Sequence, residues 1–170
     1  ALQQTANALW IGCDLGLFRC DKRTRSVRRW NKADGLLLDE VRSLWVDGQR
    51  LWIGYEFHRQ SDRRSVGGVS EMSLADARIR SFIPSLSDSR EPINEFDRLA
   101  TEPDWHRAPS RPVRAFARTS EEQMVAAVAG VGLQAFDTRT GVWSATAPKI
   151  ADRDIEIVAL SGNPSRTSTT

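Results

Sequence analysis

His58 and His106 are the only imidazoles in the chain, and each lies among groups that could work with it. His58 belongs to Tyr55-Glu56-Phe57-His58-Arg59-Gln60-Ser61-Asp62-Arg63-Arg64, and His106 to Asp104-Trp105-His106-Arg107. An imidazole that titrates near neutrality can act as a general base; with Glu56, Asp62 or Asp104 it could hold a divalent metal. The surrounding pattern carries neither chemistry further. There is no spaced Cys/His set, Gly-rich phosphate cradle or Gly-x-Ser-x-Gly elbow, and Cys13 and Cys20 have no second pair to complete a zinc site. No catalytic residue, cofactor or metal is therefore expected. The two segments read instead as contact surface: His58, Arg59, Asp62, Arg63 and Arg64 in one, Trp105, His106 and Arg107 in the other. Tryptophan and arginine are the residues that most often anchor recognition.

Both segments interrupt a repeat. Leu9-Trp10-Ile11-Gly12 returns as Leu51-Trp52-Ile53-Gly54, 42 residues on. Gly16-Leu17-Phe18-Arg19-Cys20-Asp21 is matched by Gly68-Val69-Ser70-Glu71-Met72-Ser73 and by Gly132-Leu133-Gln134-Ala135-Phe136-Asp137. Upstream, Val41-Arg42-Ser43-Leu44 is matched by Val113-Arg114-Ala115-Phe116 and Ile157-Val158-Ala159-Leu160, and a fourth segment ends in an aromatic residue at Trp30, Phe82 and Trp143. Each segment is short, aliphatic or aromatic, and bounded by Asp, Gly, Ser or Thr, so each reads as a strand between turns. Four such strands, A to D, in a period of roughly 40–45 residues make a propeller blade.

The expected fold is thus all-β, a β-propeller of four-stranded antiparallel blades with about three blades present. Strands B–D of the first blade cover 8–31, the second blade 41–83 with an insertion at 55–66, and the third 113–145 after a second insertion at 84–112. A final A-type strand at 155–160 is expected either to close on 8–12, since no A strand is evident before Ala8, or to begin a next blade. Trp10 and Trp52 should fill the gap between blades, with Ala126 in the corresponding place of the third. Gly12 and Gly54 should end strand B, while Gly16, Gly68 and Gly132 should open strand C, where a residue without Cβ allows a tight turn. A hairpin turning at Asp14-Leu15 sets Cys13 opposite Gly16 and Cys20 opposite Leu9, which leaves the two thiols apart. One short helix is expected, within 91–100.

The pattern from Val41-Arg42-Ser43-Leu44-Trp45-Val46-Asp47-Gly48 through Leu51-Trp52-Ile53-Gly54 resembles the two-component regulator propeller repeat. That family includes sensor ectodomains, binding scaffolds and a few lyases, so the resemblance implies a propeller and a periplasmic or extracellular setting. It also permits a lyase with His58 or His106 as base. Three blades cannot surround a channel, so the chain is expected to be part of a larger propeller or to complete a ring with other chains.

In a propeller the B–C and D–A connections emerge on one rim, so both insertions decorate the same face. Long loops on a rigid repeat are a usual place for recognition. The net charge of +2, from 24 Lys and Arg against 22 Asp and Glu, does not call for a polyanion. The run Lys22-Arg23-Thr24-Arg25-Ser26-Val27-Arg28-Arg29 reads as charge guarding an outer strand, and no nucleic-acid partner is expected. No stretch approaches the ~20 apolar residues of a membrane helix. The function expected is a non-enzymatic sensor or scaffold module that binds a protein or small ligand through the insertion-bearing rim.

Overall fold

A computed structural model describes residues 1–58, 65–82 and 108–145. They form three four-stranded antiparallel sheets. The first contains β1 (Leu2–Gln4), β2 (Ala8–Cys13), β3 (Gly16–Asp21) and β4 (Val27–Trp30); the second contains β5 (Val41–Asp47), β6 (Arg50–His58), β7 (Ser65–Ser73) and β8 (Ile79–Phe82). The third contains β9 (Val113–Ser120), β10 (Gln123–Val128), β11 (Gly132–Asp137) and β12 (Val142–Ala145). Within each sheet the strands pair in chain order, and β5 lies against β1 on one side and β9 on the other.

The sheets stack through alternate residues. Ala8, Trp10, Leu17 and Trp30 of the first sheet meet Leu51, Ile53, Tyr55, Val66 and Met72 of the second, with Leu36–Leu38 from the connection between them. Trp52, Val69 and Phe82, on the second sheet's other face, meet Val113, Phe116, Met124, Ala126, Phe136 and Trp143. The Ser43 hydroxyl donates to the Val113 carbonyl at 2.8 Å, and Arg118 grips Asp47, so polar links span the second interface as well.

The β3–β4 and β11–β12 turns are capped alike. Asp21 Oδ1 accepts from the Arg23 and Thr24 N–H groups at 3.0 and 2.9 Å, and Asp137 Oδ1 from those of Arg139 and Thr140 at 2.8 Å. The Thr24 and Thr140 N–H groups hold these two carboxyls below the usual carboxylate range. The fifth turn residue has positive φ: Arg25 at 57°, Ala77 at 57° and Gly141 at 73°. Only glycine adopts that conformation without steric cost. Arg25→Gly and Ala77→Gly are each expected to add about 0.5–1 kcal/mol, the left-handed penalty less the extra freedom of an unfolded glycine. Thermal unfolding checks this, and a loss of stability would contradict the turn geometry.

Several sequence expectations are corrected. The first sheet has its own first strand, β1, which pairs with β2 through Leu2↔Ile11 and Gln4↔Leu9. The closing position on 8–12 is therefore filled, and 155–160 itself lies outside the described residues, as does the helix expected within 91–100. Ala126 does not replace tryptophan. Counted from the strand ends Asp21, Ser73 and Asp137, the pairs Trp10↔Arg19 and Trp52↔Glu71 correspond to Val125↔Ala135, and a one-residue shift turns Ala126 to the opposite face. Trp143 pairs with Phe136, at the position of Val27 and Ile79 rather than of Trp30 and Phe82, because it follows the positive-φ turn residue by two positions, as they do, and not by five. Part of the 55–66 insertion is strand: Tyr55 and Val66 are buried, so β6 and β7 run on past Gly54 and Gly68. Gly16 and Gly132 do open their strands, with φ of 116° and 101°. Cys13 faces Gly16, Cys20 faces Leu9, and both thiols are free.

Candidate functional site

The β6–β7 hairpin and the 108–112 segment position one rim of the molecule. Tyr55 anchors the hairpin. Its hydroxyl accepts from the Leu37 N–H at 3.4 Å and donates to Ser70 Oγ at 2.9 Å; Ser70 and Ser81 are 2.8 Å apart, and Ser81 Oγ donates to the Gly35 carbonyl at 3.4 Å. Burial drives the Tyr55 phenol upward from its ordinary pKa, so it is a neutral hydroxyl that fixes the 35–37 connection to the sheet.

His58 ends β6 on this rim, exposed, with Nδ1 2.8 Å from Ser65 Oγ. Among the described residues no carboxylate orients it, and no three His, Cys, Asp or Glu side chains converge as a metal site requires. Arg59, Asp62, Arg63, Arg64, Trp105, His106 and Arg107 lie outside the described residues.

What the rim does assemble is a line of alternating charge drawn from all three sheets. Asp14, in the β2–β3 turn, pairs with Arg42 of β5 at 3.0 Å; Arg42 Nε lies 3.8 Å from Glu56 of β6; and Glu56 is gripped by Arg114 of β9. Arg42 and Arg114 each follow the valine that starts their strand, so the two guanidiniums hold equivalent repeat positions on neighbouring strands and converge on one carboxylate. The Glu56 side chain is mostly buried between them, while both arginines stay about half exposed. Glu40 is close by, its carbonyl accepting from the Glu56 N–H at 3.1 Å. Partial burial holds the Glu40 carboxyl above its usual range, and the neighbouring Asp39 and Asp14 charges add to the shift. Each guanidinium has five N–H donors and stays about half exposed, so an anionic ligand group can accept from donors that Glu56 does not use. Of these residues the sequence singled out only Glu56. The recurrent Val-Arg pairs at 41–42 and 113–114 were the available signal.

No family model matches the chain, and no curated protein does. Among solved structures it is similar to a crystal structure described as the extracellular domain of a one-component system, BT4673, from B. thetaiotaomicron, with a TM-score of 0.58 at 12% identity. The match covers 85% of this chain and 16% of that one, so the chain spans about a sixth of that neighbour's length. At this identity the likeness is one of fold. No helix among the described residues is long and apolar enough to cross a membrane.

Proposed function

We propose that the chain is a non-enzymatic β-propeller module of the sensor or scaffold kind, working outside the cytoplasm and taking its ligand on the rim that carries Asp14, Arg42, Glu56, His58 and Arg114. The observation that carries this reading is the convergence of Arg42 and Arg114, from adjacent sheets, on Glu56. A site assembled from several repeats is rigid because each contributing sheet is fixed by its neighbour. The fold likeness to an extracellular domain of a regulatory system supports the sensor assignment.

A larger propeller is supported by the first sheet's outward face. Leu9, Ile11 and Cys20 are only half buried there, although their equivalents Leu51, Ile53 and Met72 in the second sheet are fully buried against the first. The same positions carry the same apolar character, as expected where a further blade packs.

The test is a thermal-shift series with small mono- and dicarboxylates and phosphates. A ligand at about 100 times its Kd should stabilise the protein by about 2.7 kcal/mol, which raises Tm by roughly 5–10 °C. The Arg42→Gln/Arg114→Gln variant should lose that response, while Arg139→Gln, on a distant turn, should keep it. A response of equal size in the double variant places the ligand elsewhere and defeats the proposal.

A further inference from the structure

The β3–β4 hairpin concentrates charge in a way the other two sheets do not. Residues 16–32 carry seven cations, Arg19, Lys22, Arg23, Arg25, Arg28, Arg29 and Lys32, against Asp21 alone, in a chain whose net charge is +2. Charge on an outer strand discourages edge pairing, but the comparable arginines of the other sheets are each paired with a carboxylate. Arg50 and Arg80 lie at 3.5 and 3.8 Å from Glu71, Arg78 at 3.4 Å from Asp76, and Arg139 at 4.0 Å from Glu122. Among the described residues, Arg19 alone of the first sheet's arginines has such a partner, Asp21 at 3.2 Å. Arg23, Arg25, Arg28 and Arg29 make no ion pair with a described carboxylate.

Their surroundings restrict what the patch can bind. The hairpin is the outer edge of its sheet, where a flat surface can approach. No aromatic face is free for base stacking, since Arg28 covers buried Trp30 at 4.6 Å and Arg29 covers half-buried Phe18 at 5.7 Å. Single-stranded nucleic acid would want both a groove and such faces. Arg29 Nε donates to the Leu15 carbonyl at 2.8 Å, at the other end of the hairpin from Lys22, Arg23 and Arg25. A cluster of four unneutralised cations suits an anionic bilayer surface.

From this geometry we infer that the β3–β4 edge, through Lys22, Arg23, Arg25 and Arg28, docks the protein on a membrane surface rich in anionic lipid; Arg29, over Phe18 on the face where a further blade would pack, takes no part. The contact is peripheral and electrostatic, and it is separate from the Arg42–Glu56–Arg114 rim.

Sedimentation of the whole chain with vesicles decides it. Vesicles of phosphatidylcholine with 30% phosphatidylserine should carry the protein down in 100 mM salt and release it in 500 mM salt, where screening is far stronger, while pure phosphatidylcholine vesicles should not bind it. Each cation near such a surface strengthens binding roughly fivefold, so Arg23→Gln/Arg25→Gly should bind roughly 25-fold more weakly. That variant keeps Arg28 over Trp30 and relieves the positive φ at Arg25, so its far-UV dichroism should match the wild type; Arg139→Gln should bind as the wild type does. The inference is overturned if anionic vesicles leave the protein in solution, if neutral vesicles bind it equally, or if the variant binds unchanged. It is equally overturned if polyphosphate or duplex DNA captures the protein at this salt while vesicles do not.

Discussion

Trp52→Ala is expected to cost about 3–5 kcal/mol, the range for removing a fully buried large aromatic side chain. Trp52 has no exposed surface and joins the second and third sheets. Its ring stacks on Phe82 at 5.9 Å, lies against Phe116 at 6.4 Å, and meets the edges of Phe136 and Trp143 at 5.1 and 6.4 Å. Those four rings are attached to four different strands, so the cavity cannot close by movement of one of them, and the cost falls on the whole interface. Because domains have only about 5–15 kcal/mol of stability, the third sheet should melt first. Urea unfolding followed by near-UV dichroism measures this. The indole N–H supplies an internal control, since Trp52 Nε1 is buried without a described hydrogen-bond partner. An unpartnered buried donor costs roughly 1–3 kcal/mol, so Trp52→Phe, which keeps a ring and removes the donor, should lose much less than Trp52→Ala. Equal losses in the two variants would show that the ring packing is not what holds the sheets together.

The strands legible in the sequence were those with dense apolar character. Leu-Trp-Ile-Gly marked β2 and β6, and the Asp14-Leu15 turn set the Cys13 and Cys20 register. Strand β1 is not legible because Leu2-Gln3-Gln4 offers a single apolar residue, Leu2, and that one is exposed; its existence depends on the ladder partner supplied by β2. The misplacement of Ala126 and Trp143 has one physical origin. Residue identity does not carry strand register: Ala126 is one residue and Trp143 three residues from the position its type suggests, and any odd shift in a sheet reverses the face. The rim charges were hidden for a different reason. Arg42 is 14 residues from Glu56, and Arg114 is 58 from it, so the cluster exists only once three sheets stack. Lys22 to Arg29 was visible as a basic run, but that its arginines stay unneutralised followed only from the pairings of their counterparts.

Gly67→Ala is expected to cost about 3 kcal/mol, near the upper end for overpacking, and to disable the rim as well. A Cβ at Gly67 would stand 2.2 Å from the Arg111 carbonyl oxygen, 2.4 Å from its carbon and 2.6 Å from Pro112 Cα. All three are main-chain atoms, so no side-chain rotation relieves the contact. The 110–112 segment cannot simply retreat, because the Gly67 N–H donates to the Ser110 carbonyl and the Ala129 N–H to the Pro112 carbonyl, each at 2.9 Å. The alanine must therefore break one of these bonds or distort β7. Gly48→Ala separates this steric cause from a conformational one. Gly48 has a φ of 58° but no atom within 4 Å of an added Cβ, so its cost should stay at about 1 kcal/mol, the left-handed penalty alone. The functional consequence follows from register. Gly67 sits directly opposite Glu56, and the segment it would push leads within two residues of Pro112 to Arg114, which grips Glu56. Moving that segment draws the guanidinium away from the carboxylate, so Gly67→Ala should lose the ligand-induced rise in Tm even at temperatures where it remains folded. A variant as stable as the wild type, or one that keeps the full ligand response, would mean that 110–112 does not lie across β7 and that the rim is assembled in some other way.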